Sequence, residues 1–219
     1  MTAELVEKIR DIVGDAGMIG PDAIAERATS YWDPSPMRGK LLVRPESTAA
    51  VSAILKSCHA ARQSVVVQGG LTGTVEGAVG TPDDILLSLE KMTSIEFIDE
   101  VEGVAVVQAG AILESVQNEL AGRGFLFPLD LGARGSCTIG GTVATNAGGI
   151  NVLRYGMVRN LVLGLEAVLP DGTVISSMQQ MLKNNTGYDL KQLFIGSEGT
   201  LGIVTRVAIR LFPLPTSRQ

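Results

Sequence analysis

The fold class this 219-residue sequence predicts is α+β, and three observations carry that prediction. Residues 1–110 alternate helical and strand-like apolar spacing, as an α/β lobe does. Residues 111–219 read as a larger, mainly antiparallel lobe with helices, marked by a hairpin turn and a strictly alternating strand. The 26 glycines gather at 69–80, 132–149 and 196–202, at the joints between apolar runs.

Element by element, residues 1–15 set Glu4, Glu7, Lys8, Arg10 and Asp11 among apolar residues, the pattern of an amphipathic helix. Residues 48–62 place Val51, Ile54, Leu55 and Cys58 on one helical face after a Ser47 or Thr48 cap, and 64–68 follow as a short buried strand. Residues 85–89 and 104–108 are further β-rich runs. Residues 112–122 return to helical spacing through Leu113, Val116 and Leu120, with Gly122 as the stop. Pro170-Asp171-Gly172 lies between the apolar runs 161–169 and 173–176. Pro fits the second turn position and Gly accepts a positive φ, so a hairpin is predicted. Residues 203–211 alternate Val204, Arg206, Ala208 and Arg210 against Ile203, Thr205, Val207, Ile209 and Leu211, the pattern of a half-buried strand. No repeat or linker divides the chain, so 1–219 reads as two interleaved lobes.

Composition excludes several function classes. A net charge of −5 with Lys and Arg scattered singly leaves no basic surface for nucleic acid. No uncharged apolar run reaches the ~18 residues that a membrane-spanning helix needs. The two cysteines, Cys58 and Cys137, are far apart, so neither a disulfide framework nor a Cys-x-x-Cys metal site is expected. With no apolar leader in 1–15, the expected compartment is the cytoplasm.

The chemistry lies in the glycine clusters. Gln68-Gly69-Gly70-Leu71-Thr72-Gly73-Thr74 follows directly on the strand at 65–67. Successive small residues there let backbone N–H groups converge on one anion, with Thr72 and Thr74 adding hydroxyls. Taken alone, the run reads more readily as a glycine-rich surface loop. The second cluster runs from Gly132 through Arg134, Ser136, Thr138, Gly140 and Gly141 to Asn146 and Gly149, and the third spans 196–202. Three such loops suit one extended ligand, because pockets gather loops from several elements. A nicotinamide-type site is excluded, since no Gly-x-Gly-x-x-Gly stands between a strand and a helix. A P-loop is excluded because no glycine precedes a Lys-Ser or Lys-Thr pair.

These clusters, together with Pro128-Leu129-Asp130-Leu131-Gly132, Arg154-Tyr155-Gly156, Leu163-Gly164-Leu165-Glu166 and Asn185-Thr186-Gly187-Tyr188-Asp189-Leu190, resemble the FAD-binding domain of the vanillyl-alcohol oxidase and p-cresol methylhydroxylase superfamily. Within it the similarity is greatest to D-2-hydroxyacid dehydrogenases acting on 2-hydroxyglutarate, lactate or glycolate. The resemblance runs over residues 30–215. It implies that Gln68, Gly69, Gly70, Leu71, Thr72 and Gly73 hold the pyrophosphate of FAD, and that Pro128, Leu131 and Gly132 lie along the cofactor. It places Ser136, Thr138, Gly140, Gly141, Ala144, Thr145 and Gly149 along flavin and diphosphate, and Glu198, Gly199 and Ile203 at the adenine and ribose end. The implied reaction is hydride transfer from the α-carbon of a hydroxyacid to flavin, the protein supplying orientation and electrostatics.

Two departures qualify the resemblance. Leu71 stands where related sequences often carry Asn, removing a polar group near the phosphates. Covalently flavinylated members carry a histidine in a loop, whereas His59, the single histidine, ends a predicted helix, so FAD is expected to be held non-covalently. The family's substrate domain follows the equivalent of Phe212-Pro213. Its absence from 1–219 implies a cut at a domain boundary, ahead of a split enzyme, and a chain inactive by itself whose hydroxyacid site lies in a missing domain or partner chain. An FAD-fold binding or assembly module without catalysis is the alternative. No catalytic or metal-ligating residue is assigned. His59 reads as a surface residue, Cys137 as small packing against a ligand, Trp32 as a packing anchor, and Tyr188 with Asp189 as a buried structural pair.

Overall fold

The computed structural model describes residues 1–217. The chain opens with α1 (Ala3–Val13), capped by the Thr2 side chain accepting from Leu5 N. β1 (Met18–Ile19), α2 (Pro21–Ala25) and β2 (Leu41–Val43) follow. Next comes α3 (Thr48–Ala60), which begins where Ser47 accepts from Ala50 N and buries Val51, Ile54, Leu55 and Cys58, the stripe that the sequence spacing predicts. β3 (Val65–Gln68) and β4 (Ile85–Ser88) complete a four-stranded sheet of order β1-β2-β4-β3. In it β2, β4 and β3 run parallel and β1 is antiparallel. β4, the inner strand, is buried throughout, as a parallel strand covered on both faces must be.

A second sheet holds five antiparallel strands in the order β5-β6-β10-β8-β9. It comprises β5 (Ile95–Asp99), β6 (Val104–Gln108), β8 (Val162–Val168), β9 (Val174–Ser177) and β10 (Ile203–Arg210). Between β6 and β8 lie α4 (Leu113–Gly122), β7 (Phe125–Leu126), α5 (Ile139–Ala144), α6 (Val152–Tyr155) and α7 (Val158–Leu161). α8 (Lys191–Phe194) precedes β10, and β11 (Phe212–Pro213) closes the chain against β7. The hairpin predicted at Pro170-Asp171-Gly172 joins β8 to β9, closed by Leu169 N donating to Thr173 O at 2.8 Å. No helix among the described residues is long and apolar enough to cross a membrane.

Two sequence expectations need correction here. The lobe boundary near residue 110 falls too late, because β5 and β6 already belong to the antiparallel sheet, where β6 pairs with β10. Strand patterning reveals that a segment is extended, but its partner lies about a hundred residues further on. β10 is also more than half-buried, six of its eight residues being buried, and Ala208 joins Val104 and Val106 in an apolar cluster against which Leu163 and Met178 pack. One main core runs through both sheets, from Leu5 and Ile9 of α1 to Val207 and Ile209 of β10. At the seam, Thr48 of α3 donates to Glu166 Oε1 at 2.7 Å, and Arg206 lies between Glu166 and Glu96. The lobes are thereby locked to one another.

Candidate functional site

The parallel strands point their carboxyl ends at one edge of the small sheet, where open α/β sheets bind ligands. β3 ends at Gln68, whose carbonyl accepts from Leu89 N and whose side chain turns inward, 2% exposed. Gln68 Nε2 donates to Ala78 O at 3.2 Å and so closes the base of the following loop. The structure thus moves the Gln68 side chain from ligand contact to loop anchor.

In that loop no backbone N–H of residues 69–75 finds a hydrogen-bond partner among the described residues. The loop is exposed or half-buried, so these donors are open. Such amides take water or a ligand as partner, and consecutive free donors are the groups from which an anion site is built. Two of the loop's carbonyls are engaged: Leu71 O accepts from Tyr31 N at 2.9 Å and Thr72 O from Trp32 Nε1 at 3.1 Å. Leu71 takes the left-handed conformation, φ 54°, and packs its side chain against the cluster of Ile24, Met37, Leu42 and Leu86. The apolar anchorage offsets a backbone strain of about 1 kcal/mol for a non-glycine residue there.

The second cluster is pressed against this loop. A Cβ on Gly70 would lie 2.1 Å from Ser136 O and 2.8 Å from Cys137 Cα, and one on Gly69 would lie 2.7 Å from Thr138 Oγ1. Only glycine permits that approach. Thr138 caps α5, its hydroxyl oxygen accepting from Gly141 N at 3.2 Å. Gly140 faces the other way: its N–H donates to Ala109 O at 2.7 Å, and a Cβ would meet the Ala109 side chain at 2.6 Å. Close packing therefore accounts for Gly140, which the resemblance had placed along the ligand.

The third cluster closes the ring. Gly196 N donates to Val143 O and Glu198 N to Ala144 O, joining residues 196–198 to the end of α5. A Cβ on Gly199 would stand 2.6 Å from the Val67 side chain of β3, and one on Gly77 3.4 Å from Glu198 Oε2. The sequence reading missed the residue that fastens this arrangement. Arg159 donates through Nη1 to Gln192 O at 3.2 Å and through Nη2 to Ile195 O at 2.6 Å, while its N–H donates to Asn146 Oδ1 at 3.2 Å. A lone arginine beside apolar residues carries no sequence signal for that role.

Pro128, Leu131, Gly132 and Gly149 form a separate wall. Pro128 O accepts from Asn151 Nδ2 at 2.9 Å and Asp130 O from Ile150 N at 3.2 Å. No hydrogen bond among the described residues joins this wall to residues 69–73. It reaches Ser136 along the chain, through the turn in which Ala133 O accepts from Ser136 N and Cys137 N. Thr145 is exposed, its hydroxyl donating to Gly141 O at 3.0 Å.

Beyond Gly199, a cavity of about 490 Å³ opens between the end of α3, β3 and the start of β10. Leu55, Cys58, Val65, Val67, Val168 and Ile203 give it an apolar interior, and His59, Arg62, Gln63 and Ser64 a polar rim. Such a slot suits a flat heterocycle with a polar edge. Both cysteines are buried, and burial pushes the Cys58 thiol up to about 11 and the Cys137 thiol upward as well, so neither is a ready nucleophile. Two smaller expectations fail. Tyr188 is 95% exposed, and Asp189 pairs with Lys191 at 2.6 Å. Trp32 is 62% exposed and braces the first loop instead of anchoring a core.

Comparison with known proteins identifies the family and the fold. A family model described as FAD binding domain matches residues 39–177. The mitochondrial D-2-hydroxyglutarate dehydrogenase of Bos taurus is 53% identical over 178 residues, covering 81% of this chain and 33% of that protein. The mitochondrial D-2-hydroxyglutarate dehydrogenase of Arabidopsis thaliana is 46% identical over 209 residues, covering 95% of this chain and 37% of that protein. The chain thus matches about a third of the length of these relatives. A solved alkyldihydroxyacetonephosphate synthase, 20% identical, superposes with a TM-score of 0.88 over 99% of this chain and 41% of its own, which shows the fold. The mitochondrial names of these relatives overturn the cytoplasmic placement expected from residues 1–15. An amphipathic first helix reports how that segment packs and carries no information on compartment.

Proposed function

The chain belongs to the FAD binding domain family, and from that premise we propose that it is the FAD-binding portion of an oxidoreductase that converts a D-2-hydroxyacid to the 2-oxoacid. The free amides at 69–75, enclosed by the second and third glycine clusters, carry the reading. Gly69, Gly70, Leu71, Thr72 and Gly73 hold the pyrophosphate through backbone N–H groups. The charge of a diphosphate is met there by oriented dipoles, with no lysine or arginine in the loop. Ser136, Thr138, Gly141, Ala144 and Thr145 border the diphosphate and flavin, and Pro128, Leu131, Gly132 and Gly149 form the wall further along. Glu198, Gly199 and Ile203 lead into the cavity at the end of α3, which takes the adenine end.

When bound non-covalently, FAD supplies hydride acceptance at its flavin ring. This chain's residues hold and orient it, and turnover draws its substrate-binding groups and base from a further domain or partner chain. Similarity to dehydrogenases named for D-2-hydroxyglutarate and for D-lactate supports a D-2-hydroxyacid as the substrate class. Titration of apoprotein with FAD, followed by flavin fluorescence and a thermal shift, tests the cofactor site. Saturable binding at one FAD per chain is expected, and an unchanged melting temperature at saturating FAD would remove the basis of the proposal.

A further inference from the structure

We propose that Trp32 is a positioning residue for the phosphate cradle, acting through Thr72. This rests on the reading of 69–75 as the pyrophosphate site. In a trans peptide the C=O and N–H of one unit point in opposite directions. No peptide bond among the described residues is cis. The Thr72 carbonyl is held by Trp32 Nε1 at 3.1 Å, so the N–H of the same peptide unit, on Gly73, points away from the indole. The Leu71 carbonyl is held by Tyr31 N at 2.9 Å, so the Thr72 N–H points away in the same manner. Two consecutive donors are thereby turned to the side opposite residues 31–32, and neither amide has a partner of its own. A hydrogen bond to the carbonyl also polarises its peptide unit and strengthens the donor at the far end.

The position of the ring is explained by no packing demand. Trp32 is 62% exposed and Tyr31 67% exposed, and the two rings meet edge to face at 4.9 Å with 80° between their planes. An exposed indole that spends its one polar group on a loop carbonyl costs the protein surface exposure and gives the loop a fixed orientation. The supporting turn is built for this: the Ser30 hydroxyl accepts from Trp32 N at 3.2 Å and Asp33 N at 3.0 Å, while the Asp33 carboxylate accepts from Ser35 N at 2.9 Å. On the other side Leu71 is anchored in the apolar cluster under α2. The loop is therefore held from both flanks before any ligand arrives.

Trp32 is the single tryptophan, so it can be replaced throughout the protein by β-(3-benzothienyl)alanine, which keeps the ring shape and lacks the N–H. FAD and ADP affinities and the ³¹P resonances of bound FAD would be compared between the two proteins, with Trp32→Phe as a second variant. Loss of one hydrogen bond to the cradle is expected to raise both dissociation constants by about three- to tenfold and to shift the diphosphate resonances. The melting temperature of the apoprotein should stay unchanged, because the bond lies at the surface. Wild-type affinity and unshifted ³¹P resonances in the analogue protein would overturn the positioning role. Failure of the unaltered protein to bind FAD or ADP would overturn the cradle reading itself.

Discussion

Gly70 and Gly73 are separated by two residues, yet a methyl group added to each should have opposite consequences. At Gly70 the new Cβ would lie 2.1 Å from Ser136 O, whereas ordinary contact begins at 3.4 Å. One backbone must retreat by about 1 Å. Ser136 and Cys137 cannot yield freely, since both donate to Ala133 O at 2.8 Å and Cys137 O accepts from Leu113 N at 3.0 Å. Gly70→Ala should therefore destabilise the fold by about 1–3 kcal/mol and separate the first two glycine clusters. At Gly73 a Cβ meets nothing within 4 Å, and its φ is not in the left-handed region. Gly73→Ala should leave apoprotein stability unchanged or raise it by about 0.4–1 kcal/mol through the unfolded chain. Its methyl group would nevertheless stand in the cradle and weaken FAD by roughly tenfold, a cost of about 1.4 kcal/mol. Urea unfolding of the apoproteins and FAD titration of both variants give the four quantities required. Wild-type stability in Gly70→Ala would refute the close approach of the clusters. Wild-type FAD affinity in Gly73→Ala would refute the cradle.

Three further outcomes follow from particular side chains. Arg159→Ala removes charged donors to Gln192 O and Ile195 O, and should cost about 1–3 kcal/mol while accelerating amide exchange in residues 191–202, measured by hydrogen exchange. Hydrogen bonds from Arg27, followed by those from Arg44 and Ser88, lower the Glu90 carboxyl from 4.5 to about 2. A depressed carboxylate stabilises the fold above its unfolded value and loses that contribution as pH falls from 4.5 through 2. The full shift is equivalent to roughly 3 kcal/mol, reduced to about 1 kcal/mol because the group is well exposed to solvent. Glu90→Gln should therefore be less stable than wild type at pH 7, with a difference that shrinks on acidification. An equal difference at pH 7 and pH 2.5 would contradict it. Cys58, buried with its thiol pushed up to about 11, should resist iodoacetamide at pH 8 in folded protein and react once unfolded, as mass spectrometry would record.

What the sequence revealed was mostly local. Ser47 and the stripe Val51, Ile54, Leu55 and Cys58 define α3 because cap and period lie within one segment. Pro170-Asp171-Gly172 defines the β8–β9 hairpin for the same reason. The glycine clusters were recognisable as loops, but their mutual contacts were not. Gly70 against Ser136, and Gly199 against Val67, are approaches between segments 66 and 132 residues apart that no spacing rule encodes. Gln68 and Gly140 illustrate the converse. Each stands inside a motif, and only the fold shows that one faces the loop base and the other Ala109. Trp32 and Arg159 act through carbonyl groups, which carry no side-chain signature.

The central claim, that three glycine clusters form one FAD site, is tested most directly by a structure of the protein soaked or co-crystallised with FAD. The account predicts diphosphate oxygens within hydrogen-bond distance of N–H groups in 69–75, the adenine beside Val67 and Ile203, and no covalent link to the flavin. Diphosphate bound elsewhere, with the amides of 69–75 still facing solvent, would contradict it.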